Sequence, residues 1–177
     1  LRESLGVMGF SDDDIGRNIG RMKERYFLHL ERTMRDGSPV LLPGVTELLE
    51  RLSGMSSVLT GLLTGNFREG ARIKLGRFGL NRYFSYGVFG DDASERNDMP
   101  PIARRVIREQ FGTDLPFEDI VIIGDTVYDI ERARSSGAVS VAVGTGWAGR
   151  DALLSRGPDH YFDDLADTDG VLAAIAG

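Results

Sequence analysis

The spacing of apolar residues changes part-way along the chain. Over residues 1 to about 40 it is helical, with a break at Gly9-Phe10-Ser11. Ser11 followed by Asp12, Asp13 and Asp14 predicts a helix start, a capping hydroxyl and then acids on the positive end of the helix dipole. Ile15, Ile19, Met22, Tyr26, Leu28 and Leu30 supply the expected apolar face, and Arg35-Asp36-Gly37-Ser38-Pro39 a closing loop. This part reads as a small helical unit.

From Leu41 onward short apolar runs alternate with amphipathic ones. Helices are predicted over Val45 to Leu52, Arg68 to Phe78, Pro100 to Gln110, Ile130 to Ser136, Asp151 to Ser155 and from Gly170. Strands are predicted over Val58 to Leu63, Tyr83 to Phe89, Ile120 to Ile123, Val139 to Val143 and His160 to Phe162. Ile120-Val121-Ile122-Ile123 has no polar face, which suits a strand buried on both sides in a parallel sheet. A βαβ series of this kind predicts an α/β fold, a parallel sheet with helices on both faces.

Composition narrows the partners. With 21 Lys and Arg against 27 Asp and Glu in 177 residues, the formal net charge is −6. This argues against nucleic acid or an anionic membrane as main partner. The length suits one domain, or one with a small appendage. Cysteine is absent, which excludes disulfides, a thiolate nucleophile and Cys-based zinc sites, and fits a reducing, cytoplasmic location. No apolar run approaches the roughly 18 residues of a membrane helix, and Leu1 to Gly6 lacks the pattern of a signal peptide. His29 and His160, the only histidines, are expected to be ordinary surface or partly buried residues.

Candidate chemistry gathers at strand ends. Thr64 with Asn66, Asp91 with Asp92, and Asp125 with Asp129 each follow a predicted strand. Parallel strands point the same way, so these ends share one edge of the sheet, where open α/β sheets bind ligands. Each also has an ordinary reading: Thr64 as a helix cap, Asp91 as a turn residue, Asp125 as a cap with Asp129 complementing the dipole. Two carboxylates in one small site suit Mg2+, which completes its shell with water and substrate phosphate. Gly144-Thr145-Gly146-Trp147-Ala148-Gly149 fits a dinucleotide G-x-G-x-x-G after a strand. The chain beyond it is too short for a βαβ unit, so a loop lining the phosphate site is expected instead.

Leu62-Leu63-Thr64-Gly65-Asn66, then Arg96 within Ser94 to Pro100, then Ile123-Gly124-Asp125-Thr126-Val127-Tyr128-Asp129, resemble in order and spacing the second, third and fourth motifs of the haloacid dehalogenase superfamily of phosphohydrolases, in its phosphoglycolate-phosphatase-like branch. The resemblance runs from about Pro43 to the end. It implies a three-layer Rossmann-like α/β core over residues 41–177, with residues 1–40 as a remnant of a helical cap. It implies a Mg2+-dependent phosphomonoesterase acting on a small phosphorylated metabolite through an aspartyl-phosphate. Thr64, Gly65 and Asn66 would hold the phosphoryl group, Arg96 would be the third-motif cation, Asp125 would bind Mg2+ directly and Asp129 would support it. Lysine is more usual than arginine at the third motif, but arginine keeps the charge and adds a bidentate fork. Lys74, between Arg72 and Arg77 on a predicted helix, is a rival expected on a solvated face. A dehalogenase is disfavoured because that chemistry needs no metal pair. The alternative is a non-catalytic phosphate- and Mg2+-binding or scaffold protein of this fold. The metabolite and the oligomeric state are not readable from sequence.

One departure stands at the beginning. The family's nucleophile is an Asp in an Asp-x-Asp motif ending a first, central strand. Asp12-Asp13-Asp14 has that spacing, but Val7-Met8-Gly9-Phe10 ahead of it is a poor strand, and the stretch to Pro43 is too short for a cap. An N-terminal segment carrying strand and nucleophile is therefore expected to be missing, leaving two unpaired sheet edges.

Overall fold

The computed structural model describes residues 9, 11–93 and 98–176. Helix α1 (Asp12–Asp36) begins at Ser11, whose hydroxyl accepts the Asp14 N–H, so the predicted cap is in place. Asp12-Asp13-Asp14 is the first turn of this helix and not a strand end. Of its expected apolar face, Ile15 is buried, whereas Leu28 is 57% exposed. α1 is anchored by Tyr26 and Phe27, whose rings meet Phe67 edge-on, and by an ion pair between Lys23 and Asp91.

The remaining described elements are α2 (Val45–Ser53), β1 (Gly61–Leu63), α3 (Arg68–Gly76), β2 (Tyr86–Val88), α4 (Met99–Phe111), β3 (Val121–Gly124), α5 (Val127–Ser136), β4 (Val139–Val143), α6 (Arg150–Leu154), β5 (His160–Phe162) and α7 (Thr168–Ala176). Strands β1 and β2 are shorter than predicted, and a 3-10 turn at Leu80–Tyr83 takes up part of the second run. The fold is α/β and Rossmann-like, as the alternating pattern implies. No helix among the described residues is long and apolar enough to cross a membrane.

All strand pairs are parallel, but they form two sheets. β1 pairs with β2, and β4 lies between β3 and β5. β1 and β3 each have one edge without a strand partner among the described residues. Leu63 at the end of β1 links the two sheets by packing both with Val88 and Met99 and with Ile122 and Ala133. In β3, Ile122 is buried but Ile123 is 37% exposed. Ile122 and Ile123 point to opposite faces of the sheet, and the face that carries Ile123 is the less covered one.

Two groups of helices cover the strands. α4 packs Met99 and Ala103 on Val88, and α5 packs Ile130 on Ala142 and Ala133 on Ile122. α2 and α7 pack Leu48 and Leu52 against Val171, with Phe162 of β5 beside them.

Candidate active site

The turn between β3 and α5 is built around Asp129. The helix cap is Thr126, not Asp125, and Thr126 and Asp129 form a capping box. Asp129 Oδ2 accepts from the Thr126 N–H at 3.0 Å and from its hydroxyl at 2.7 Å, while Oδ1 accepts from Arg132 at 2.7 Å. Arg132 is only 5% exposed, so this ion pair sits inside the fold. Gly124 is required here, because a methyl group on it would overlap the Asp129 carboxyl group.

Asp125 is left over by this arrangement. It is half-buried, and among the described residues its carboxylate makes no hydrogen bond or ion pair. It lines a cavity of about 250 Å³ with Pro43, Gly124, Ile123 and Thr145. Gly146 closes on it: a Cβ there would come 2.6 Å from Asp125 Oδ2 and 2.7 Å from its carbonyl oxygen. The glycine-rich loop thus packs over a carboxylate. The residues fit Mg2+ in a limited sense, with one free carboxylate and room for water and phosphate oxygens. No cluster of three or more metal-ligating side chains occurs among the described residues.

The second constellation lies at the end of β1. The Thr64 N–H is taken by Val88 of β2 at 3.0 Å. The Thr64 hydroxyl oxygen accepts from the Asn66 N–H at 3.2 Å and from Asn66 Nδ2 at 2.8 Å. Among the described residues, the Gly65 and Phe67 N–H groups of this turn have no hydrogen-bond partner. Lys74, expected on a solvated face, is instead half-buried and donates to Asn66 Oδ1 at 2.8 Å. Helical periodicity alone could not find this, because the partner lies on the loop before the helix.

Asp91 and Asp92 serve the framework. Asp91 accepts from the first N–H of α3, at Arg68, and pairs with Lys23. Burial raises its pKa, but the bonds and charges of Lys23 and Arg68 outweigh that and leave it below the ordinary value. Asp92 accepts from the Phe89 N–H and pairs with Arg68. Thr64 does not cap α3, since Phe67 occupies that position. His29 and His160 are exposed, as expected. Arg96 lies outside the described residues. No hydrogen bond among the described residues joins the Thr64 group to the Asp125 group.

The sequence profile of the haloacid dehalogenase-like hydrolases matches residues 2–143. A phosphoglycolate phosphatase of Synechococcus elongatus is 30% identical over 145 residues, covering 81% of this chain and 65% of that protein. This chain thus spans just under two thirds of that relative's length. Among solved structures, a hydrolase from Pseudomonas syringae superposes with a TM-score of 0.74 at 24% identity, over 99% of this chain and 77% of the other. CbbY from Rhodobacter sphaeroides, determined in complex with phosphate, superposes with a TM-score of 0.72 at 22% identity, over 90% of this chain and 69% of the other.

Proposed function

We propose that this chain, which belongs to the haloacid dehalogenase-like hydrolases, carries the phosphate- and metal-binding part of a Mg2+-dependent phosphomonoesterase acting on a small phosphorylated metabolite. The observation that carries the reading is Asp125: a half-buried carboxylate without a partner among the described residues, in a turn whose neighbouring acid, Asp129, has both oxygens satisfied. Leaving a carboxylate unpaired in such a place is costly unless a cation joins it. Asp125 would hold Mg2+ directly, and Asp129 would support it by fixing the turn. Mg2+ bound there supplies positive charge for a phosphoryl group during in-line displacement.

The Thr64 hydroxyl and the Gly65 N–H would hold non-bridging phosphoryl oxygens, with Asn66 orienting the hydroxyl. Arg96 would neutralise charge developing on the phosphoryl group. Helix α1, within residues 1–40, reads as part of a cap over the core of residues 41–177. The nucleophilic aspartate is assigned to a strand seated between β1 and β3, a reading supported by their open edges among the described residues. A cytoplasmic location belongs to the same reading.

The test is release of inorganic phosphate from a panel of small phosphomonoesters by the full-length protein, with Mg2+ and with a chelator. Asp125→Asn should abolish the Mg2+-dependent turnover. Normal turnover in that variant removes the metal assignment. A wild-type protein that binds phosphate but turns over nothing supports the non-catalytic alternative.

A further inference from the structure

Lys74 reaches the candidate phosphate site through a directed chain of hydrogen bonds. Its ammonium has three N–H donors and no acceptor, so it can face only the carbonyl oxygen of the Asn66 amide, 2.8 Å away. That leaves the Asn66 NH2 group turned toward Thr64, where it donates to Oγ1 at 2.8 Å. The Asn66 backbone N–H donates to the same oxygen at 3.2 Å. A threonine hydroxyl has two lone pairs and one hydrogen. With both lone pairs occupied, donation is the one interaction left to it.

The charge at the tail of this chain is not cancelled. Lys23, Arg68 and Arg72 pair with Asp91, Asp92 and Glu69, whereas Lys74 makes no ion pair among the described residues. A half-buried cation polarises the amide it grips, and the effect passes along the bonds. We infer that Lys74 is a positioning residue which, through Asn66, makes the Thr64 hydroxyl an obligate hydrogen-bond donor to a phosphoryl oxygen. The inference rests on reading Thr64 as the phosphate-holding hydroxyl. Without Lys74 the Asn66 amide is free to turn over, and the Thr64 proton then points back at its oxygen.

The experiment is a double-mutant cycle on the affinity of the full-length protein for inorganic phosphate, measured by calorimetry. It uses wild type, Thr64→Val, Lys74→Met, the double variant and Lys74→Arg, each checked by thermal unfolding. Thr64→Val and Lys74→Met are each expected to weaken phosphate binding about tenfold, roughly 1.4 kcal/mol. Because Lys74 acts through Thr64, the double variant should bind no more weakly than Thr64→Val, a non-additivity that loss of a distant charge does not produce. Lys74→Arg, which keeps a donor and the charge, should recover part of the loss. Wild-type affinity in Lys74→Met beside weakened binding in Thr64→Val overturns the inference and spares the phosphate site. Full additivity in the double variant overturns the relay as well. Unchanged affinity in Thr64→Val, or no phosphate binding by the wild type, overturns the phosphate-site reading and the inference with it.

Discussion

Replacing Asp129 with alanine should damage this fold more than any other single change in the candidate site. The substitution removes three hydrogen bonds, two from Thr126 and one from Arg132. The capping part is worth about 1 kcal/mol. The larger part comes from Arg132, which keeps its charge at 5% exposure with no other anion in contact among the described residues. Stranding one partner of a buried ion pair costs about 3–5 kcal/mol. Among the described residues, Arg132 Nε has no hydrogen-bond partner even with Asp129 present, and none of them stands ready to take over. Asp129 retains some contact with solvent, its side chain being 18% exposed, which favours the lower end of the range. A loss of about 4 kcal/mol is therefore expected, a large part of the 5–15 kcal/mol typical of a domain. Urea unfolding followed by circular dichroism gives the value from the midpoint, provided the slope is unchanged. Asp129→Ala with Arg132→Met removes both charges together and should be more stable than Asp129→Ala alone by about 2 kcal/mol. A single-variant cost below about 1.5 kcal/mol, or additive behaviour within about 0.5 kcal/mol, refutes the claim that Asp129 holds a buried charge in place.

Two further outcomes follow from the same geometry. Gly146→Ala places a methyl group 2.6 Å from Asp125 Oδ2, so the carboxylate must move; Mg2+ affinity by calorimetry should fall at least about tenfold, while Gly149→Ala, with nothing within 4 Å, should bind as the wild type does. The Asp159 carboxylate lies below its ordinary pKa because the Ser140 hydroxyl and N–H both donate to it. Its contribution to stability is therefore present above the unfolded value, about 4, and is lost as pH falls through the lower folded value. Asp159→Asn should flatten the acid limb of a plot of unfolding temperature against pH, and an unchanged limb contradicts the assignment.

Local chemistry carried much of this protein's design in plain view. The Ser11 cap, the proline-led start of α4, the aliphatic run Val121-Ile122-Ile123 of β3, and the order Thr64, Asp125, Asp129 are all legible because each depends on neighbours a few residues away. The Thr126 cap is a near miss of the same kind, one position from the residue first suspected. What sequence could not state is where long-range partners sit. Lys74 looks like one more cation on a charged helix until the loop folds back and sets Asn66 against it. The Gly144–Gly149 loop reads from sequence as a lining of the phosphate site, but which of its glycines lies over Asp125 is decided only by the fold, and it is Gly146. Leu28 stays exposed because it lies two residues from Tyr26, about 200° round the helix and so on the face opposite the buried one. Strand identity follows from apolar run and turn, but pairing follows from what lies alongside. So β1 and β3 were readable as strands, and the resemblance implied two open edges, but only the tertiary structure decided that those edges belong to β1 and β3 and that Ile123 meets solvent.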